Sequence, residues 1–362
     1  MASIADVLSW VPLTEAVETI RGGLPRPLTD PFYTIREEFS GNVASYVDWV
    51  GTRQVARMQP YGAPPQPTNK LSLSSTNVVM LNFIEYMTYQ EEMFRILRQW
   101  EEYKPQQMFF LRNLMWQGEE FARRFENAET AAINGTIANA TLWFDSTGNM
   151  LPSSSGAFTS VPQGVPTTNT GTLNGLLTGS FADPNYDIVT FINQKFKVRA
   201  LEDTNYPSRT AVHGANIPAY FANNTYTKLA WGYQSEYALP YLRAGAVPPK
   251  FCDMTWINAS EMYYQDATAT NQLLFPPDQI TFMPEITSAF WTVYVGSTLI
   301  PAFFGPTMGA VEQLKNGFAE KFGRWRYAWI PQGTSSLVDQ AGYPFIPRVK
   351  VPLAMYLLDT TA

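Results

Sequence analysis

The chain has 362 residues, of which 45% are hydrophobic and 15% are charged, and 25 basic against 31 acidic side chains give a net charge of −6. This composition is that of a folded chain long enough to bury a large core, because a disordered chain is poorer in apolar residues and richer in net charge. The acidic balance excludes a protein that wraps nucleic acid by neutralising its phosphates, but it does not exclude a container for DNA.

The first 39 residues are predicted to form an arm. An amphipathic stretch at residues 4–20 is followed by GGLPRPLTDP at 22–31, where prolines prevent regular helix and favour extended backbone. No cationic segment precedes an apolar run at the start of the sequence, so we expect no secretory signal. No apolar run approaches the ~20 residues needed to span a bilayer, and we expect no membrane partner.

Residues 40–75 are predicted to form an extended loop or hairpin. Strand-like runs at 42–50 and 52–58 precede a proline-rich stretch and a further run that begins at Lys70. So much proline with so little core-forming pattern favours a segment outside the body of the protein. An isolated hairpin is marginal in water and needs a neighbour to lie against. A surface loop of a monomer is the alternative.

The strongest helical pattern lies at residues 107–134. Apolar residues recur there at spacings of three, four and seven, and charged residues occupy the other faces. A helix of this length is a spine of about 40 Å. Gly135 is its predicted end, because glycine commonly follows the last helical turn.

The second half of the chain is predicted to be mixed α/β. Residues 146–180, rich in Ser, Thr, Gly, Pro and Asn, indicate a long loop or a loose β excursion. Asp183 and Pro184 are predicted to start a second helix that ends near Leu201, since proline is favoured in a first helical turn. A mixed unit continues to about residue 286. Strand-like runs complete the chain at 290–295, 325–330 and 349–358.

Few residues could carry catalysis or hold a metal. The single cysteine, Cys252, excludes an internal disulfide and a multi-cysteine zinc site, and we interpret it as a small buried side chain. The single histidine, His213, lacks in its strand-like run the partners that a metal site or a Ser-His or Cys-His centre needs. The sequence also lacks the glycine motifs of nucleotide-binding proteins and hydrolases.

We therefore expect no enzyme activity, with no catalytic, metal-binding or cofactor-binding residues. The 31 acidic residues leave paired carboxylates for sugar hydrolysis open. The adjacent acidic pairs in the sequence, however, are typical of solvated faces.

Two motifs carry a resemblance to a known family. The first is FCDMTWI at 251–257, followed by a polar turn and by LLFPPDQITF at 273–282, and the second is RVKVPLAMYLLD at 348–359. With the order of arm, loop and long helix, they resemble the lambda-type major capsid proteins of tailed double-stranded DNA phages, which share the Hong Kong 97 coat fold. In that family the first motif is a strand, a loop with tyrosine and an apolar-Pro-Asp segment that enters the next strand. The second motif is similar to the family's closing strand with its internal proline.

The resemblance implies an α+β fold of the Hong Kong 97 type with five segments. These are an N-terminal arm at 1–39, an extended loop at 40–75, a peripheral domain at 76–182 that holds the spine helix, an axial domain at 183–290, and a return to the peripheral domain with the closing strands at 291–362. Residues 146–180 have no clear counterpart in the family.

The resemblance also implies a function. Such a chain is a major capsid protein that self-assembles into hexamers and pentamers, which form an icosahedral or prolate head. Its implied partners are copies of itself, portal and scaffold proteins and, in some cases, a decoration protein. Double-stranded DNA is enclosed without specific recognition, in a virion that is assembled in the host cytoplasm. The alternatives are another phage structural protein, such as a portal, tail-tube or decoration protein, and a carbohydrate-binding protein, which the Trp and Tyr content suggests.

Candidate intersubunit contacts lie in the extended loop. Arg53, Arg57 and Lys70 are the cations predicted to meet acidic residues of a neighbouring copy. An exposed ion pair contributes only ~0–1 kcal/mol, so these contacts are expected to set register more than to hold the shell. Trp49 and Tyr61 are candidate apolar anchors, since aromatic residues dominate interface hot spots. Packing within their own loop is the alternative for both.

Overall fold

The structure is a computed structural model that describes seventeen stretches of the chain. The described residues are 31–32, 34–39, 43–50, 72–79, 81–89, 132–138, 165–204, 206–232, 240–241, 244, 246–259, 263–265, 271–273, 275–296, 317–319, 325–329 and 337–361. In this part of the chain no helix is long and apolar enough to cross a membrane.

The described residues contain strands and short helices. The strands are β1 (Arg36–Phe39), β2 (Val43–Val50), β3 (Ser72–Val79), β4 (Leu81–Tyr89), β5 (Thr170–Gly171), β6 (Thr210–His213), β7 (Lys250–Phe251), β8 (Met254–Asn258), β9 (Tyr263–Gln265), β10 (Asn271–Leu273), β11 (Gln279–Met283), β12 (Trp291–Gly296), β13 (Gly317–Ala319), β14 (Trp325–Trp329), β15 (Leu337–Val349) and β16 (Tyr356–Asp359). The helices are α1 (residues 132–138), α2 (residues 188–204), α3 (Ile217–Asn223) and α4 (Thr225–Gly232), and 3-10 turns lie at Thr167–Asn169 and Pro352–Ala354.

Two six-stranded sheets form the frame of the described structure. Sheet I has the order β1-β12-β15-β14-β13, with β4 also paired to β15, and sheet II has the order β5-β16-β11-β6-β8-β7. Two antiparallel strand pairs, β2 with β3 and β9 with β10, lie outside these sheets. The chain passes between the two sheets twice next to each other. β11 of sheet II leads into β12 of sheet I, and β15 of sheet I leads into β16 of sheet II. β11 pairs with β16, and β12 pairs with β15.

The central strands of sheet II, β6 and β11, are covered on both faces. Side chains alternate along a strand, so Ala211 and Phe282 lie in one core with α2, α3 and α4, whereas Val212 and Met283 lie in a second core with α1. All four residues of β6 are buried. This double coverage leaves β6 and β11 without an exposed face, whereas β8 exposes Thr255 and Asn258.

Helix α1 continues past its predicted end. Residues 132–138 are helical and buried, so the predicted stop at Gly135 is wrong. The carbonyl of Ala138 accepts a hydrogen bond from Nε2 of Gln279 at 2.8 Å, and the carbonyl of Ile137 accepts one from Oγ1 of Thr281 at 3.2 Å. Side chains of sheet II thus satisfy carbonyls at the end of the helix, which a glycine turn would otherwise do. Residues 107–131 of the predicted spine lie outside the described residues.

Helix α2 begins later than predicted, at Ile188. Oδ1 of Asp187 accepts a hydrogen bond from the backbone N–H of Thr190 at 2.9 Å, as an N-cap does. Asp183 instead stabilises a turn, in which its Oδ1 accepts from the N–H of Asn185 at 2.9 Å. The predicted start at Asp183 and Pro184 is therefore wrong, because the second aspartate caps the helix.

The interior of α2 changes its helical pitch. Ile188–Thr190 is α-helical, Phe191–Phe196 is π-helical, and Lys197–Thr204 is α-helical again. In the π segment the N–H of Lys197 bonds to the carbonyl of Ile192, five residues earlier. The helix ends at Thr204, three residues beyond the predicted end.

The FCDMTWI segment is a tight hairpin and not the single strand that the resemblance implies. β7 ends at Phe251 and β8 begins at Met254, and Cys252 and Asp253 between them have φ of 50° and 54°. Two consecutive residues with positive φ are what a two-residue hairpin turn of type I′ requires. Lys197 of α2 donates to the carbonyl of Cys252 and so holds the turn in place. Cys252 is half-buried there, which corrects its interpretation as a buried side chain.

The run at 349–358 is likewise two elements instead of one strand. Val349 ends β15 in sheet I, and Tyr356 begins β16 in sheet II. Between them the 3-10 turn Pro352–Ala354 bends the chain, with the N–H of Met355 bonded to the carbonyl of Pro352 at 3.1 Å. Pro352 stands in the first turn of this 3-10 segment, where its missing N–H costs no hydrogen bond. β15 itself continues through Pro344 and Pro347, so proline alone does not end a strand here.

The end of the Ser/Thr/Gly-rich stretch is packed and not loose. β5 pairs in parallel with β16, and Leu173 and Leu177, at 0% and 5% exposure, belong to the core with α2 to α4. Arg199 of α2 donates to the carbonyl of Thr168 at 2.9 Å and also to that of Leu173. Residues 165–180 are therefore a turn-rich segment attached to sheet II, and residues 146–164 lie outside the described residues.

Candidate assembly elements

The β2–β3 pair forms an antiparallel hairpin that begins in the predicted extended loop at 40–75 and extends four residues beyond it, to Val79. Its register runs from Val43 opposite Val79 to Val50 opposite Ser72. Residues 51–71, which connect the two strands, lie outside the described residues. The hairpin belongs to neither sheet I nor sheet II, so its hydrogen-bonded partner in the described part of the chain comes from itself.

Of the five predicted contact residues, Trp49 falls on a described element. It lies in β2 near the connection, with Leu73 as its Cα partner in β3. Arg53, Arg57, Tyr61 and Lys70 lie outside the described residues. Their intersubunit role stays a prediction.

The segment that leads into the hairpin is anchored to sheet I. Phe32 is completely buried, and its ring packs edge-on against Trp291 with centroids 4.9 Å apart. The carbonyl of Ile35 accepts a hydrogen bond from the N–H of Val293 at 2.8 Å, and β1 then runs parallel to β12. Lys350 and Glu37 form an ion pair across this junction. The anchor fixes where the chain leaves sheet I toward the hairpin.

The sequence gives a weak signal for this anchor. β1 (REEF) is short and has three charged residues, which is typical of an edge strand. The proline-rich string before it dominates the sequence pattern, so the sequence predicts an arm for the whole segment.

The PPD motif, Pro276–Asp278, connects helix α3 to two strands of sheet II. Oδ1 of Asp278 accepts hydrogen bonds from the hydroxyl of Tyr220 at 2.6 Å and from Nδ2 of Asn216 at 2.8 Å. Its backbone carbonyl accepts from the hydroxyl of Thr360 at 2.6 Å. The hydrogen bond to Asp278 raises the pKa of Tyr220. The motif therefore joins the start of α3, the entrance to β11 and the end of β16.

The backbone at Gly214 completes this junction. A Cβ at position 214 would lie 2.1 Å from the carbonyl oxygen of Pro276 and 2.5 Å from that of Pro277. The N–H of Gly214 donates to the carbonyl of Gln279 at 3.0 Å. Glycine is needed here because two stretches of backbone approach closely.

The single histidine and the single cysteine of the chain have structural surroundings. His213 is 2% exposed, and its Nδ1 lies 3.0 Å from the carbonyl oxygen of Gly214. Burial lowers the pKa of His213. Burial also raises the pKa of the Cys252 thiol to about 11, so the thiol is protonated at neutral pH and is a poor nucleophile. In the described residues, no group of three His, Cys, Asp or Glu side chains could hold a metal ion.

No model of a known protein family matches the chain, and no curated protein does. Among solved structures, the protein assigned as the capsid protein of a prophage in E. coli CFT073 has a TM-score of 0.53 at 10% identity, covering 97% of this chain and 99% of that chain. A phage-related protein from Bordetella bronchiseptica RB50 has a TM-score of 0.46 at 8% identity, with 96% of each chain covered. The major capsid protein of phage G has a TM-score of 0.45 at 9% identity, covering 94% of this chain and 91% of that chain.

The likeness to the E. coli prophage protein extends over nearly the full length of both chains. It shows a shared fold. The predicted fold class is thereby confirmed, and the chain has an α+β coat fold of the Hong Kong 97 type.

Proposed function

We propose that the chain is the major capsid protein of a tailed double-stranded DNA phage or prophage and forms the shell of its head. The observation that carries the proposal is the shared fold with the prophage protein assigned as a capsid protein, at a TM-score of 0.53 over 97% of this chain. Copies of the chain assemble into hexamers and pentamers. The shell they form is closed, icosahedral or prolate, and part of a virion that is assembled in the host cytoplasm.

The separate β2–β3 hairpin supports this assembly. A shell built from one polypeptide needs heterologous contacts, in which one surface of each copy meets a different surface of its neighbour. A two-stranded hairpin is marginal alone in water, and its outer strand edges can pair with or cover another chain. The anchor at Phe32 and Ile35 fixes the base of the hairpin, so the hairpin itself is the part that reaches a neighbour.

The same chain has no enzymatic role in this proposal. His213 contacts a backbone carbonyl, and the protonated thiol of Cys252 lies in a hairpin turn. The partners are copies of itself, portal and scaffold proteins and, where the head has one, a decoration protein. DNA is enclosed without specific recognition, because a net charge of −6 leaves no excess of cations to neutralise phosphates.

The burial of tryptophan weighs against a carbohydrate-binding protein. Sugar-binding platforms need exposed aromatic faces. The tryptophans whose burial the structure describes, Trp231, Trp256 and Trp291, are 2%, 6% and 0% exposed. Their side chains pack in the two cores.

Electron microscopy of the purified recombinant chain tests the proposal, with a scaffold protein added if needed. We expect rings of five or six copies, or closed shells. A chain that stays strictly monomeric under all of these conditions contradicts the proposal. A tube of stacked rings would instead indicate a tail protein.

A further inference from the structure

The Asn174–Gly175 pair lies in an exposed turn of the segment attached to sheet II. Leu173, Asn174 and Gly175 have φ of 55°, 56° and 78°, so three consecutive residues adopt left-handed backbone. Leu173 is completely buried, whereas Asn174 and Gly175 are both exposed to solvent. In the described part of the chain, no hydrogen bond holds the side-chain amide of Asn174. The amide can therefore change its rotamer and is in contact with water.

An asparagine that precedes glycine can lose its side-chain nitrogen without an enzyme. The backbone nitrogen of the glycine gives up its proton and attacks Cγ of the asparagine, and the bond from Cγ to the side-chain nitrogen breaks. That nitrogen takes up a proton and leaves as ammonia, and the product is a cyclic succinimide. Water then opens the ring at either carbonyl, which gives aspartate or isoaspartate. Water is the co-reactant, and nothing is oxidised or reduced.

The surroundings of Gly175 leave room for this ring to form. Glycine lacks a Cβ and adopts both signs of φ, so its peptide nitrogen can turn toward the side chain of Asn174. A Cβ built at Gly175 would have no heavy atom within 4 Å, so no neighbouring group blocks that side of the turn. The N–H of Gly175 donates to Oγ1 of Thr172 at 3.2 Å, and this bond has to open before the nitrogen reacts. Because the bond is exposed, water can replace it at little cost in free energy.

A second Asn-Gly pair in the chain has the opposite surroundings. Asn134 is completely buried, and residues 132–138 around it form the buried helix α1. The helical backbone fixes the peptide between Asn134 and Gly135, and close packing keeps water out. The same two residue types are thus open to the reaction in one place and closed to it in the other. In the third pair of the sequence, at residues 316–317, the asparagine lies outside the described residues.

We propose that Asn174 is a site of spontaneous deamidation, at which aspartate or isoaspartate replaces asparagine as the protein ages. Either product adds a negative charge to a chain whose net charge is −6. Isoaspartate also lengthens the backbone by one carbon directly after Leu173, whose carbonyl accepts a hydrogen bond from Arg199 of α2. The isoaspartate form therefore alters the turn where it is attached to helix α2. The reaction belongs to the subunit itself and does not depend on the proposed function.

Peptide mapping of the aged protein tests the site. The purified full-length chain is incubated folded at neutral pH, and a second sample is incubated in urea. Mass spectrometry follows the gain of one mass unit in each Asn-Gly peptide, and an isoaspartyl methyltransferase detects the isoaspartate form. In the folded chain we expect deamidation at Asn174 to be at least about tenfold faster than at Asn134, because a buried pair reacts only after local opening. In urea the two pairs should react at rates within about twofold of each other, since the folded environment is lost.

Asn174→Gln is the matched variant, and circular dichroism shows that it is folded. Glutamine keeps a neutral amide but would have to close a larger ring, so the variant should show no mass gain in that peptide. An aged parent that keeps its original mass at Asn174 overturns the proposal. Equal rates at Asn174 and Asn134 in the folded parent also overturn it, because burial would then not control the reaction. A mass gain that persists in the variant places the reaction at another residue and has the same consequence.

Discussion

A single methyl group at position 214 would collide with the backbone of the PPD motif. The Cβ of alanine would lie 2.1 Å from the carbonyl oxygen of Pro276, and backbone cannot move aside as a side chain can. We expect Gly214→Ala to lower the free energy of unfolding by about 2–3 kcal/mol, as overpacking does. Urea unfolding of the unassembled chain measures it.

Gly232 provides the matched control for this substitution. It lies at the end of α4, and a Cβ there would have no heavy atom within 4 Å. Alanine is the better helix former, so Gly232→Ala should leave stability unchanged or raise it by about 0.4–1 kcal/mol. Equal effects at the two positions would show that the approach of Gly214 to Pro276 is not a constraint on the fold.

His213 makes the stability of sheet II depend on pH. Burial lowers its pKa from the ordinary value of 6.5, so between the folded and unfolded pKa values the unfolded chain binds more protons. Stability is therefore fully present above pH 6.5 and falls as the pH is lowered, by at most about 1.4 kcal/mol per pH unit. His213→Gln removes this titration but keeps a side chain that can donate a hydrogen bond.

Unfolding between pH 7.5 and pH 5 compares the two chains. The slope of stability against pH in this window should be smaller for His213→Gln than for the parent, whatever the absolute stability of the variant. Carboxylates titrate mostly below this window. Identical slopes would mean that protonation of His213 is not linked to unfolding.

The start of helix α2 can be tested by substituting its N-cap residue, Asp187. Asp187 accepts hydrogen bonds from the N–H of Thr190 at 2.9 Å and from its hydroxyl at 2.7 Å. Asp187→Ala should lower the free energy of unfolding by about 0.5–2 kcal/mol, the usual effect of losing an N-cap. Asp183→Ala is the control, and as an exposed turn residue it should change stability by no more than about 0.5 kcal/mol. A larger loss of stability for Asp183→Ala than for Asp187→Ala would indicate that the helix begins at Asp183, as the sequence predicts.

The differences between predicted and observed elements have a common physical origin. Local pattern identified β12 and β14 well, since the runs predicted at 290–295 and 325–330 begin and end within one residue of these strands. The predicted bounds are wrong where contacts with residues distant in sequence determine the local structure. Gln279 caps α1 beyond Gly135, and Lys197 holds the hairpin turn at Cys252, although Cys-Asp is not a typical turn pair. Neither partner is near in sequence to the element it stabilises.

Local sequence also fails where the chain passes between sheets. The run around Pro352 is mainly apolar because Val349 is buried in sheet I and Tyr356 in sheet II. A mainly apolar run is the same signal for one buried strand as for two strands joined by a short turn. Proline does not distinguish the two cases, since β15 continues through Pro344 and Pro347, whereas the chain turns at Pro352.

For the molecule as a whole, the fold class is the level at which the sequence predicted correctly. The shared fold with the prophage protein covers 97% of the chain at 10% identity. The predicted order of arm, loop and spine helix stays a prediction, because much of it lies outside the described residues. The candidate contacts were less predictable. A residue that meets another copy obeys no periodicity within its own chain, so the sequence pattern does not identify it.

The extended loop carries the last prediction, which concerns assembly and not folding. The hairpin belongs to neither main sheet, and the connection between its strands holds Pro60, Pro64, Pro65 and Pro67. Each proline fixes φ near −65°, so the free loop samples fewer conformations and loses less entropy when it docks. Deletion of residues 59–68 should therefore leave thermal unfolding of the unassembled chain nearly unchanged and lower the yield of particles.

A variant that replaces the four prolines with alanine separates rigidity from contact. It keeps the length of the loop but restores its freedom, so it should assemble more weakly than the parent and better than the deletion, because ordering a flexible loop on association costs free energy. Calorimetry of the unassembled chains and particle counts by electron microscopy measure the two effects. If the deletion destabilises the unassembled chain while its folded fraction assembles normally, residues 59–68 belong to the core of the subunit. The hairpin would then stabilise its own chain, and contacts between copies would have to come from other surfaces.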